Sequence, residues 1–275
     1  MQDITGKNSD GLKEKTLYLL DMDGTIYNEN EIFEGTLDFL SEIRRRGGEY
    51  IFITNNSSKS VADYVEKVRA MGIQADQENF YTSSQATAMY IKENYPGQRV
   101  YCMGTRSLVE ELRQEGIDVV TEVDDRATVV LIGFDTENTS EKIRNTCIML
   151  GKDVAYLATN PDLVCPVSFG YIPDCGSMSI MLKNATGKEP FFIGKPEPIM
   201  VDCVLKKYKK KPVEAVIVGD RLYTDIKTGV RAGVDTICVL SGEATMEDIR
   251  QGEVKPDYIF QSVKEIYEGL TEDER

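Results

Sequence analysis

The chain contains no histidine. That absence excludes a Ser-His-Asp or Cys-His nucleophile and any imidazole zinc site. An enzyme built on this sequence must draw its acids and bases from carboxylates, Lys, Tyr or Cys. No CxxC pair occurs among the six cysteines, at positions 102, 147, 165, 175, 203 and 238. Several lie in apolar company ("TICVL", "VDCVL"), as expected of small buried hydrophobes in a reducing compartment. Cys175, in "PDCGS", is less plainly buried. No apolar run approaches the roughly eighteen residues of a membrane span. The first sixteen residues, "MQDITGKNSDGLKEKT", lack the apolar middle of a signal peptide and are expected to form a loose tail on a cytoplasmic protein. Positive charge is also scarce, with 32 Lys and Arg against 46 Asp and Glu, a net charge of −14. Nucleic acid and anionic membrane surfaces reward clustered Lys and Arg, so neither is expected as a partner. A small anionic substrate remains compatible, because a metal ion or one well-placed Lys reverses the local field.

What the chain does have is room and a regular grammar. At 275 residues it can hold one large domain or two modest ones. Continuous apolar runs alternate with amphipathic stretches, which predicts a parallel sheet flanked by helices. "TLYLL", "EYIFITNN", "EAVIVGDR", "DTICVLSG" and "PDYIF" read as strands. "GTLDFLSEIRRRGG", "SVADYVEKVRAMG", "SSQATAMYIKENYPG", "IMVDCVLKKYKKK", "TDIKTGVRAG" and "SVKEIYEGL" read as helices. Capping boxes are expected at Ser60 with Asp63 and at Ser262 with Glu265.

From about Gln98 to Gly187 lies a second α/β set whose strands do not end in acidic clusters. It runs through "RVYCMG", "SLVEELRQEG", "ATVVLIGF", "SEKIRNTCIMLG" and "VAYLATN", then a loop, "PDLVCPVSFGYIPDCG", then helix "SMSIMLKNATG". The expected organisation is a core domain of residues 1–97 and 188–275 interrupted by an inserted α/β domain of residues 98–187.

Three predicted core strands end in polar clusters: Asp21 and Asp23, then Thr54, Asn55 and Asn56, then Gly219, Asp220 and Asp225. In an open parallel sheet such ends share one edge, where ligands bind. Lys195, in "IGKPEP", precedes a helix of the resumed core. Two carboxylates about 4 Å apart repel by about 4 kcal/mol at an effective dielectric near 20, so the cluster calls for a cation or shared protons. Oxygen ligands without His or Cys suit Mg²⁺ paired with a substrate phosphate.

"DMDGT", "ITNN", "GKP" and "GDRLYTD", in that order, resemble the four motifs of the haloacid dehalogenase (HAD) superfamily phosphatases. With "ATNPD", "GKPEP" and the place of the insert, the chain is most similar to their NagD/p-nitrophenyl-phosphatase branch with its C2-type cap. The resemblance runs from about Leu17 to the C-terminus. It implies a Rossmann-like core and Mg²⁺-dependent hydrolysis of small phosphate monoesters, such as sugar phosphates, nucleoside monophosphates or p-nitrophenyl phosphate. Asp21 would be the nucleophile that forms an aspartyl-phosphate, and Asp23 would protonate the leaving oxygen and then activate water. Mg²⁺ would sit on the Asp21 carboxylate, the Asp23 carbonyl and Asp220, with Asp225 behind them and Thr25 bracing the turn that aims Asp23. Gly24, Thr54, Asn55, Asn56 and Lys195 would line the phosphoryl site. The loop from Asn160 to Gly176 would belong to the cap, with Asp162 and Asp174 as candidate substrate contacts.

Other functions share parts of this pattern. A receiver-type signalling module also combines acids, Thr and Lys on a parallel sheet, yet needs neither the DxD spacing nor an insert. A haloalkanoate dehalogenase lacks the acid that Asp23 supplies and needs no Mg²⁺. An inactive HAD-fold binding protein would be expected to lack motif residues that are all present here. The expected partner is a small phosphorylated metabolite, and a homo-oligomer stays open.

Overall fold

The computed structural model describes residues 1–167 and 169–272, which fall into two compact units. The first comprises Met1–Thr54, Tyr64–Tyr81 and Lys195–Arg275. It is built on a six-stranded sheet in the order Tyr258–Phe260, Asp235–Val239, Ala215–Gly219, Leu17–Leu20, Glu49–Thr54, Phe80–Thr82. Leu17–Leu20 and Ala215–Gly219 are buried at every position, which is why they read as unbroken apolar runs rather than alternating ones. They pair in parallel, Leu20 opposite Val218, and Leu20 also lies opposite Phe52 of the next strand. From Leu17–Leu20 the chain winds outward to one side, and after Lys195 it winds outward to the other. Parallel crossovers of this kind are right-handed and carry helices onto both faces of a sheet, and in such sheets ligands bind at the carboxyl ends where the winding reverses.

The second unit comprises Asn55–Asp63 and Thr82–Gly194. Its five-stranded sheet runs Phe191–Phe192, Ala155–Ala158, Ala127–Ile132, Arg99–Met103, Val119–Val120, with all registered pairs parallel. Period-two alternation divides its core. Val100, Cys102, Val129 and Leu131 join one buried cluster with Leu108 and Leu112. Tyr101, Met103, Val130 and Ile132 join another with Met149 and Leu182.

Most predicted elements stand within a few residues of their expected ends, and both predicted capping boxes form. Three expectations are corrected. The insert does not begin at residue 98 or end at 187. Ala88 and Ile91 of helix Ser83–Asn94 pack into the second unit's core, and Phe191–Phe192 pairs with its strand Ala155–Ala158. The segment expected as one loop over residues 161–176 contains an antiparallel hairpin, Val164–Val167 with Gly170–Pro173, and the following helix already starts at Cys175. The first sixteen residues are not a loose tail. Leu12 is fully buried, and its carbonyl accepts the Tyr18 hydroxyl at 3.0 Å. All six cysteines are free, and Cys175 is fully buried. No helix among the described residues is long and apolar enough to cross a membrane.

Asp3 ties the N-terminal segment down. One carboxylate oxygen accepts Thr5 N at 2.8 Å, Thr5 Oγ1 at 2.6 Å and Lys7 N at 2.9 Å. The other accepts Ile259 N at 3.1 Å. Burial opposes its charge, but these donors outweigh it and hold the carboxyl below its ordinary range. Asp3→Ala is expected to lower the unfolding free energy at neutral pH by about 2 kcal/mol. A depressed pKa stabilises above the unfolded value and ceases to do so as acid protonates the group, so the gap to wild type should begin to narrow below about pH 4. Urea unfolding at pH 7 and pH 3 measures both, and a wild-type midpoint in the variant would return this segment to a loose tail.

Candidate active site

One strand end supplies the first acid. Asp21 follows directly on Leu20, and its N–H continues the ladder to Val218 O at 2.9 Å, so its backbone is fixed by the sheet. The chain then turns sharply. Met22 O accepts from Thr25, Ile26 and Tyr27, and Gly24 N donates to Tyr27 O at 2.8 Å. Gly24 has φ +86°, and a Cβ there would collide with the Asp220 carboxylate, so the turn requires glycine.

The neighbouring strand supplies the other acids. Asp220 follows Gly219 and is buried. Glu243 N donates to its Oδ2 at 2.8 Å and Ala244 N to its main-chain carbonyl at 3.0 Å. Its Oδ1 is buried with no hydrogen-bond partner. A π-helical turn over Leu222–Ile226 then carries Asp225 back beneath the sheet edge, fully buried. Asp225 Oδ2 accepts Arg221 N at 3.2 Å.

Lys195 joins the two acidic strand ends. Its Nζ lies 2.6 Å from Asp21 Oδ1, 2.6 Å from Asp225 Oδ1 and 3.3 Å from Ile53 O. Carboxylate oxygens of Asp21, Asp220 and Asp225 all come within 4.8 Å of one another. Burial pushes the Asp21 pKa well up, the Asp225 charge adds to it, and Lys195 opposes both. Burial and then Asp225 push Asp220 up to about 6. Burial works against the Lys195 ammonium, but Asp21 and Asp225 outweigh it and raise its pKa. The three carboxylates face the Lys195 ammonium, and the Arg221 guanidinium lies near enough to interact with all of them. A buried carboxylate oxygen without a partner, in an all-oxygen acidic cluster, suits a hard divalent cation.

The sequence candidates separate in space. Asp21, Asp220, Asp225 and Lys195 come together, and Asp225, expected behind the ligands, lies within the carboxylate cluster itself. The Asp23 side chain is outside that cluster and 54% exposed, 3.8 Å from Lys67 Nζ. Thr54 ends its strand half-buried. The Thr25 hydroxyl is buried without a hydrogen-bond partner; main-chain bonds, not this side chain, hold the turn. In the second unit Asn55 Nδ2 lies 3.1 Å from each Asp162 carboxylate oxygen, and Asn55 O accepts Ser83 Oγ and Asn160 Nδ2. The Asn56 Oδ1 accepts Ser58 N and Oγ, closing its own turn. Asp174 is a buried N-cap, its carboxylate accepting Cys175 N, and burial pushes the Cys175 thiol up to about 12. For Asp162 and Asp174 the structure thus provides partners within their own unit.

Sequence reasoning missed Ser241, Gly242 and Glu243. Ser241 Oγ donates to Gly24 O at 2.7 Å, and a Cβ on Gly242 would collide with Asp220. The signal was present, because Ser241 and Gly242 close the predicted strand "DTICVLSG" at the same sheet edge and Glu243 follows directly.

The chain is similar to known hydrolases and phosphatases. A haloacid dehalogenase-like hydrolase family model matches residues 18–118, and a HAD-hydrolase-like one matches residues 192–266. An acid sugar phosphatase of Staphylococcus aureus is 35% identical over 94% of this chain and 99% of its own. The crystal structure of a 4-nitrophenylphosphatase from Thermotoga maritima superposes with a TM-score of 0.90 at 36% identity, covering 95% of this chain and 100% of that one. NagD from E. coli K-12 gives 0.85 at 30% identity, covering 91% and 98%. A glycerol phosphate phosphatase from Mycobacterium tuberculosis, in complex with magnesium, gives 0.87 at 28% identity, covering 96% and 78%.

Removing one member of a buried ion cluster leaves the others uncompensated. Lys195→Met is therefore expected to lower the unfolding free energy by about 3–5 kcal/mol without added divalent cation. Asp225→Asn on that background should recover part of the loss, because it removes one of the repelling charges. Denaturant unfolding of both variants tests this, and a Lys195→Met protein as stable as wild type would contradict the ion cluster.

Proposed function

We propose a reaction from an established premise: the chain belongs to the haloacid dehalogenase-like hydrolases and is a phosphatase of their NagD-like branch. Its substrates are small phosphate monoesters of the sugar phosphate or p-nitrophenyl phosphate type, as the names of its relatives suggest. The observation that carries the reading is the Asp21–Lys195–Asp225 cluster beside Asp220 at one sheet edge.

Asp21 is the nucleophile. A carboxylate oxygen attacks phosphorus, the ester P–O bond breaks, and an aspartyl-phosphate forms. Asp23 protonates the departing oxygen, becomes a carboxylate, and then takes a proton from the water that attacks the acyl phosphate. Inorganic phosphate leaves and Asp21 is restored. The difference in exposure between the two acids supports this division. Asp21 is held by the sheet and by Lys195, whereas Asp23 is open to a leaving group and to water. Thr54 and Lys195 are suited to hold phosphoryl oxygens, since positioning and charge stabilisation supply most of the catalysis in phosphoryl transfer. Asp21, Asp220 and the Asp23 carbonyl would hold Mg²⁺, with Asp225 as a further carboxylate beside it. When bound, that ion supplies charge neutralisation for the transferring phosphoryl group.

Two measurements test the proposal. Mg²⁺ at a hundred times its dissociation constant should stabilise the protein by about 2.7 kcal/mol if it binds only the native state, and Asp220→Asn should largely remove that gain. A thermal midpoint that does not move from EDTA to saturating Mg²⁺ would exclude the metal. In rapid-quench kinetics, Asp21→Asn should form no phosphoenzyme with any ester. Asp23→Asn should form it from p-nitrophenyl phosphate, whose leaving group needs little protonation, and should then turn over about 10²-fold or more slowly for lack of a base. Normal turnover by Asp21→Asn, or equal loss of phosphoenzyme formation from both kinds of ester in Asp23→Asn, would refute the assigned roles.

A further inference from the structure

Asp23 presents a problem of position. Its side chain is half exposed, while an acid that must reach one leaving oxygen and then one water has to be aimed. Main-chain bonds fix its backbone: Gly24 N donates to Tyr27 O, and Asp23 and Tyr27 form an isolated bridge. Those bonds do not themselves fix the rotation of the carboxylate about its own side-chain torsions.

A lysine from a distant element stands where it can restrain that rotation. Lys67, on helix Val61–Ala70, places its Nζ 3.8 Å from Asp23 Oδ1 and 4.0 Å from the centre of the Tyr27 ring. Tyr27 is fully buried, so the ring is a platform of fixed position. An ammonium over its face is attracted by the ring quadrupole as well as by the carboxylate. Two attractions from different directions locate the charge better than either does alone. The Tyr27 hydroxyl is buried; burial and then the Asp23 charge push its pKa up, so the phenol stays neutral beside the acid. Asp23, Tyr27 and Lys67 all belong to the first unit. Neither Lys67 nor Tyr27 falls within the four motifs.

We propose that Lys67 is a positioning residue for Asp23: standing on the Tyr27 ring, it holds the carboxylate in the orientation from which it serves the leaving oxygen and then water. This rests on the acid–base role of Asp23. An exposed ion pair of this length contributes little to stability, so the effect belongs to direction rather than to folding.

The test uses Lys67→Met, which keeps the length of the stem and removes the charge, and Lys67→Arg, which keeps the charge and the affinity for the ring. With a sugar phosphate, whose alkoxide leaves badly, Lys67→Met should lose about tenfold or more in kcat while KM stays within about twofold. Phosphoenzyme formation from p-nitrophenyl phosphate should stay within about threefold of wild type, and Lys67→Arg should retain most of the activity with both esters. In an Asp23→Asn background, Lys67→Met should have no further effect, because it acts only through that carboxylate. Equal losses with both esters, or a full Lys67→Met effect in the Asp23→Asn background, would overturn the inference while leaving the role of Asp23 intact. An Asp23→Asn enzyme without leaving-group dependence would instead overturn that role and this inference with it.

Discussion

The rest of the site depends on one buried ammonium. Asp21 and Asp225 each lie 2.6 Å from Lys195 Nζ, and Asp220 is close enough to complete a cluster of carboxylate oxygens within 4.8 Å. The parallel ladder brings these acids together, because the strands ending at Leu20 and Gly219 are hydrogen-bonded neighbours. The sheet therefore places like charges side by side, and Lys195 relieves part of the repulsion. The Arg221 guanidinium also acts on all three acids.

Close approach is the second constraint. Gly24, Gly219 and Gly242 surround the two deepest acids, and a Cβ at any of them would overlap Asp220 or Asp225. The sheet edge is thus packed to the carboxylates themselves. The π-helical turn serves the same geometry: its extra residue per turn brings Asp225 under Gly219 rather than out toward solvent. Within that packing, no donor among the described residues meets Asp220 Oδ1.

Asp21 and Asp23, two residues apart, have opposite environments. Asp21 extends a buried strand and is ion-paired; Asp23 has crossed a turn and is half exposed against Lys67. Environment is what lets neighbouring carboxylates divide nucleophilic and acid–base work.

Much of this was legible in the sequence. Unbroken apolar runs specify strands buried on both faces, and an acid directly after such a run must sit at the carboxyl edge of the sheet, so Asp21, Asp220 and Thr54 could be placed without coordinates. The lack of histidine restricted acid–base chemistry to carboxylates, Lys, Tyr or Cys. The ends of the insert were not legible, because nothing local in the helix Ser83–Asn94 says which core Ala88 and Ile91 join; that lies in distant partners such as Val100 and Leu108. The burial of the N-terminal segment was hidden for the same reason, since Asp3 is satisfied by Ile259, more than two hundred residues away. Lys67 was hidden as well, on a helix where a lysine reads as solvated surface. Local pattern determines which residues form each strand and where its acids emerge. Only the packed chain decided which lysine meets which carboxylate, because ion pairing and burial depend on distances in space that sequence separation does not encode.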